Sequence, residues 1–141
     1  MNSIHITRHY DAPPEDVFDA WLDPARAGKF LFATPTGRMV RVEIDPRVGG
    51  TFNITERRGG DDVEHVGEYV EIDRPRRLAF DFAVPKLSSE PTRVSIDIVP
   101  SGNGGSDLTL TQESVTEGWE EKTREGWRGI LEGLAAALSE R

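Results

Sequence analysis

Apolar and polar positions alternate along the first ten residues: Ile4, Ile6 and Arg8 share one side and His5, Thr7 and His9 the other, the period of a half-buried strand. Pro13-Pro14 then suits a helix start, and Val17, Phe18, Trp21 and Leu22 form one apolar helical face. Asp23-Pro24 ends that helix and opens a second short one, with Asp23 as N-cap and Pro24 at the first helical position.

From Gly37 to Glu113 the apolar residues recur at every second position. They are Val40, Val42 and Ile44; Phe52 and Ile54; alternate residues from Val66 to Ile72; Leu78, Phe80 and Phe82; Val94, Ile96 and Ile98; and Leu108 and Leu110. Turn-forming residues separate these runs at Asp45 to Gly50, Gly59 to Asp62, Asp73 to Pro75, Pro85 to Pro91 and Gly102 to Gly105. Such short connections leave no room for a parallel crossover, so the strands are expected to run antiparallel in sequence order, apolar on one face and wet on the other. After Glu117 the period becomes 3.6, and Trp119, Trp127, Ile130, Leu131, Leu134 and Leu138 fall within an arc of about 120°. A helix of about 22 residues would be roughly 33 Å long and could cover the apolar face of the sheet. The pattern predicts an α+β fold, a curved antiparallel sheet wrapped around a long C-terminal helix with two short helices after the first strand, in a single domain over 1–141.

Composition narrows the partners. Seventeen basic residues against twenty-five acidic ones give a formal charge of -8, which repels phosphate backbones and anionic membrane surfaces, so neither nucleic acid nor membrane insertion is expected. The absence of cysteine excludes disulfides, thiolate nucleophiles and Cys-based zinc sites. The first residues lack the apolar core of a secretory signal, and no apolar run approaches the roughly 20 residues of a membrane span, so a cytoplasmic protein is expected, as a monomer or homodimer. His5 and His9 would stand roughly 13 Å apart in a strand and cannot share a metal ion. His65 reads as a surface histidine opposite Val66, Gly102 to Gly105 as a hairpin turn, and Arg57-Arg58 and Arg74 to Arg77 as solvated clusters. No cofactor or metal is expected.

Five fragments in order resemble one known family. They are Thr7-Arg8 leading to Asp11-Ala12-Pro13-Pro14; Val17 to Trp21 with Asp23-Pro24; Asp45 to Phe52; Gly67 to Leu78; and Gly126-Trp127 before the leucine-spaced helix. The chain is thereby similar to the START-like branch named after the activator of the heat-shock-protein-90 ATPase. The resemblance implies a helix-grip fold with a cavity between sheet and C-terminal helix, used across the superfamily for lipids, polyketides, hormones and other apolar molecules. Many relatives carry a Trp pair where this chain has Phe30-Leu31-Phe32, and a His where it has Thr123. Both departures remove polar handles.

Three roles are open to such a cavity. The first is a carrier or sensor of a small, largely apolar ligand, non-catalytic. The second is a cyclase- or hydratase-type enzyme using inward polar residues. The third is a protein-interaction role of the co-chaperone kind. Phe30 and Phe32, in the irregular segment before the sheet, and Trp127 are the expected lining, with Phe52, Ile54 and Phe82 from the sheet and Ile130 from the helix. Trp21 and Phe80 read as core. Gly126, Gly129 and Gly133 share one helical side, implying either close backbone approach or space for a ligand. Arg8, Glu56 and Glu68 share parity with apolar neighbours; each is expected to be paired, at a strand end, or oriented toward a polar end of the ligand.

Overall fold

The computed structural model describes residues 2–87 and 90–139; Ser88 and Ser89, within the expected Pro85 to Pro91 turn, lie outside the described residues. Strand β1 (Asn2–Tyr10) leads into α1 (Pro14–Leu22) and α2 (Pro24–Phe30). Pro14 stands at the first turn of α1, whose buried face includes Val17, Phe18 and Trp21. Asp23 caps α2, its carboxylate accepting the Ala25 N–H at 3.1 Å, and Pro24 begins the helix as expected.

Six strands follow: β2 (Arg38–Ile44), β3 (Thr51–Arg58), β4 (Asp61–Asp73), β5 (Arg77–Ala83), β6 (Thr92–Pro100) and β7 (Ser106–Val115). All neighbours pair antiparallel in the order β1-β7-β6-β5-β4-β3-β2, so sequence order is kept from β2 to β7 and β1 joins beside β7. Helix α3 (Glu120–Ser139) buries Trp127, Leu131, Leu134 and Leu138 against the apolar face. Three bonds from β1 hold it there: the Tyr10 hydroxyl donates to the Leu131 carbonyl at 2.8 Å, Arg8 pairs with Glu132, and the Asn2 amide donates to Glu120. This is the α+β helix-grip arrangement that the periodicities imply.

The alternation misreads β4. Counting by twos from Val66 to Ile72 places Glu68 inside and His65 outside, whereas His65 and Tyr69 are the buried residues and Glu68 is exposed. The cause is a bulge: Tyr69 pairs with Phe80 and Glu71 with Ala79, so Val70 is an extra residue and the phase slips by one before Ile72. Trp119 also departs from expectation. It precedes α3, its carbonyl accepting the Thr123 N–H, and it is 55% exposed instead of lying on the buried stripe.

Candidate functional site

Beneath the N-terminal half of α3 the sheet presents Phe52 from β3, His65 from β4, and Phe80 and Phe82 from β5, all buried. Their alignment follows from register, since Phe52 lies opposite Gly67 and Gly67 opposite Phe82. A Cβ on Gly67 would stand 2.4 Å from the Phe52 ring, so only glycine lets that ring lie across β4. Into this space comes Phe32 from the loop after α2. Its ring stacks on His65 with centroids 4.2 Å apart and planes 9° from parallel, and lies 5.2 Å from Phe82, 5.7 Å from Trp127 and 6.3 Å from Phe52.

Phe32 reaches this place through an uncommon backbone conformation. Its φ is +57°, the left-handed region, which for a bulky side chain costs about 1–3 kcal/mol. The flanking chain is fixed on both sides. Leu31 N–H donates to the Ala27 carbonyl at 2.8 Å, and Thr34 gives Glu56 its backbone N–H at 2.7 Å and its hydroxyl at 2.9 Å. Arg58 donates to Glu56 at 2.6 Å and to the Phe32 carbonyl at 3.1 Å. Glu56, 1% exposed, is thus the anchor of the loop: burial alone would raise its carboxyl pKa, but the donors from Thr34 and Arg58 outweigh this and hold it low. Gly37 is needed beside it, because a Cβ there would meet the Glu56 carboxyl group.

His65 is held neutral. Burial, followed by the Arg58 charge, pushes its pKa down to about 4, while its Nδ1 sits 3.3 Å from the Ile54 carbonyl and donates to it. On the opposite wall Trp127 Nε1 donates to Gln112 Oε1 at 2.6 Å, which places a half-buried amide in an otherwise apolar lining. At neutral pH the enclosure therefore offers neutral aromatic faces and one amide.

The aromatic cluster adjoins a hollow at one end, with Phe82 and Gln112 common to both. This hollow of about 640 Å³ lies between the β5–β6 connection, the end of β7 and the start of α3, with Phe82, Val84, Val115 and Gln112 in its lining. Leu87, 84% exposed, and Trp119 stand in its rim. A second hollow of about 770 Å³ runs along residues of β2 to β5 that include Glu43, Asn53, Glu68 and Asp81. It carries the polar outer positions of those strands as well as an edge of Phe52 and Phe82.

Of the residues singled out from sequence, Phe32, Phe52, Phe82 and Trp127 come together around one space, with Ile54 paired to His65 beneath it and Ile130 half-buried on α3. Glu56 is inward but committed to the loop. Phe30 is not in an irregular mouth segment: α2 runs through it, so it ends the helix and packs edge-on against Trp21 at 5.2 Å. Glu68 lies in the outer hollow. Gly126 and Gly129 are exposed, with no described atom within 4 Å of where a Cβ would stand, whereas at Gly133 it would lie 3.0 Å from the Phe30 Cβ. Arg8 is half-buried and paired with Glu132 at the far end. Sequence reasoning missed His65, for want of the bulge, and Gln112, although continuing the Leu108-Leu110 alternation by one step would have found it.

The model of the family described as "Activator of Hsp90 ATPase homolog 1-like protein" matches residues 11–139. Among solved structures, a protein from Chromobacterium violaceum is 28% identical, with a TM-score of 0.87 over 97% of this chain and 96% of that one. An AHSA1-like protein from Aeromonas hydrophila shares the fold at 23% identity, TM-score 0.84, over 99% and 93% of the two chains. A protein from Nitrosomonas europaea does so at 20% identity, TM-score 0.82, over 98% and 94%. No curated protein matches the chain.

Proposed function

The chain belongs to the family of activator of Hsp90 ATPase homolog 1-like proteins, and from that premise we propose that it binds a small, largely apolar molecule between the sheet and α3, as a carrier or sensor. The observation that carries this reading is the mouth: a hollow of about 640 Å³ that has Phe82 in its lining, next to the aromatic cluster, with Leu87 and Trp119 exposed in its rim. Ligand sites are concave, mostly apolar and fitted with few polar groups, and apolar side chains held in water beside such a hollow gain by being covered. Phe32, Phe52, Phe82 and Trp127 would form the inner wall and Gln112 the polar contact. Residues 1–141 act in this reading as one domain, since sheet and helices share one buried core.

A ligand that binds only the native state adds about 2.7 kcal/mol of stability at a free concentration of 100 times its Kd. A thermal-shift screen of fatty acids, polyphenols and bicyclic aromatic metabolites should therefore find compounds that raise the midpoint, and Trp119→Ala should weaken them. If no class raises the midpoint, and native mass spectrometry of the protein from its own host shows no bound molecule, the reading fails.

A cyclase- or hydratase-type activity is the second reading, favoured by the burial of Glu56 and His65 on the same face. It stands behind the first because Thr34 and Arg58 occupy both Glu56 oxygens. Turnover of a bound compound that is lost in His65→Leu while binding persists would reverse that order.

A further inference from the structure

Phe32 is at odds with its own backbone. The residue is the third of a tight turn from Phe30 to Ala33, closed by the Ala33 N–H donating to the Phe30 carbonyl at 3.2 Å, a place that ordinarily takes Gly or Asn, and Phe32 is neither. What the conformation achieves is placement of a flat ring against His65, between Phe82 and Trp127. The strain is confined between two fixed points, the Leu31 bond to α2 and the Thr34 anchor on Glu56. Turning over the peptide unit after Phe32 gives up two bonds, Arg58 to the Phe32 carbonyl at 3.1 Å and Ala33 N–H to the Phe30 carbonyl at 3.2 Å, and leaves those of Leu31 and Thr34 in place. The flank of α3 that meets α2 at Gly133 continues through Gly129 and Gly126, both exposed and with no described atom beyond the helix's own backbone within 4 Å of the Cβ positions, so a ring that swings out to that flank meets open surface.

We propose that the Phe32 ring is an internal occupant of the ligand site, and that the ligand which displaces it carries a flat, neutral aromatic ring. This rests on the ligand-binding reading above and adds to it the ligand's class and the residue it competes with. The flatness requirement comes from the His65 face. An aryl ring in place of Phe32 can keep the nearly parallel stack, 9° between planes and 4.2 Å between centroids, whereas a puckered saturated ring presents no such face. Neutrality follows from the enclosure, where a charge brought in without a partner loses its hydration. In this arrangement ligand binding releases the backbone strain at Phe32, and the ring that leaves frees the loop for exchange with solvent.

The test uses 2-naphthol as probe and its saturated counterpart decahydro-2-naphthol as control, with titration calorimetry and midpoint shift as readouts. It compares the full chain with Phe32→Ala and with Phe32→Leu, the latter keeping apolar volume should the alanine variant not fold. Removing the resident ring should tighten 2-naphthol about tenfold, the factor that 1.4 kcal/mol of avoided displacement corresponds to. The saturated control should bind each form more weakly than 2-naphthol does. Equal 2-naphthol affinity in all forms, weaker binding in both variants, or saturated and aromatic compounds binding alike would overturn the displacement proposal while leaving the carrier reading standing. A panel-wide lack of binding in every form would instead sink the carrier reading itself.

Discussion

Phe30 and Phe32 are two residues apart, both buried and both aromatic, yet they do different work. Phe30 closes α2 in ordinary helical geometry, edge-on to Trp21 and against the bare backbone of Gly133. Phe32 sits in left-handed backbone with its ring in a stack of other rings, one wall away from an open mouth. The first end of the space beneath α3 is sealed by close packing; the second is filled by a side chain held there against its local preference. A fold that must be stable and also admit a guest divides the two demands between its ends.

The comparison is broken most strongly at the sealed end. Phe30→Ala should cost about 3–5 kcal/mol, since the cavity lies between two helices that cannot close over it. Glycine at the same helical position should cost roughly 1 kcal/mol more than alanine. At position 32 the order should reverse: Phe32→Gly should be about 1 kcal/mol more stable than Phe32→Ala, because glycine adopts the left-handed region freely and alanine does not. Urea unfolding of the four variants decides it. An alanine variant more stable than glycine at both positions would mean that residue 32 is not left-handed in solution.

Acid should act on the mouth end. The folded-state pKa of His65, about 4, lies below the usual 6.5, so the unfolded chain binds more protons than the folded one between those values. Stability is then full above pH 6.5 and falls as pH drops toward 4, by about 3 kcal/mol for a shift of this size. Arg58 and Glu56 face the ring from β3, and the low carboxyl pKa of Glu56 adds a loss of the same sign at still lower pH, as the anchor protonates. The urea midpoint measured from pH 7.5 to 4 should decline in the wild type and decline less in His65→Leu. Parallel profiles would show that the imidazole does not titrate in this window.

The two ends also differ in how far the sequence announces them. The sealed end was legible in outline, because Asp23-Pro24 and the 3.6-residue spacing of α1 and α3 are local signals. The element order and the antiparallel sheet followed from period and turn residues, and parity put Glu56 beside Phe52 and Ile54 without deciding whether it was paired, at a strand end or turned to a ligand. The mouth end was read only in part. Phe32, Phe52, Phe82 and Trp127 could be chosen as lining from their places on loop, strand and helix, but the role of His65 depended on a bulge visible only in the pairing of β4 with β5. The left-handed backbone at Phe32 carries no residue signature: the turn from Phe30 to Ala33 would announce itself by Gly or Asn at that place, and contacts to His65 and Arg58 from distant strands accompany it instead. The place of β1 beside β7 likewise depends on partners about 100 residues away in the chain, which periodicity does not report.

The smallest effect expected separates the two ends along α3 itself. Gly126, Gly129 and Gly133 share one flank of the helix and are equal in intrinsic propensity, each costing about 1 kcal/mol relative to alanine. Their surroundings differ. No described atom approaches the Cβ positions of Gly126 and Gly129, so Gly126→Ala and Gly129→Ala should each recover roughly 0.5–1 kcal/mol. At Gly133 a methyl group would stand 3.0 Å from the Phe30 Cβ and 3.4 Å from its Cα, tighter than carbon atoms accept, and α2 would have to move away. Gly133→Ala should therefore gain nothing, or lose up to about 1 kcal/mol as overpacking offsets propensity. Thermal midpoints of the three single variants read this directly. A gain at residue 133 equal to that at 129 would mean that α2 and α3 are not in contact there, and the contrast between a sealed and an open end would lose its structural basis.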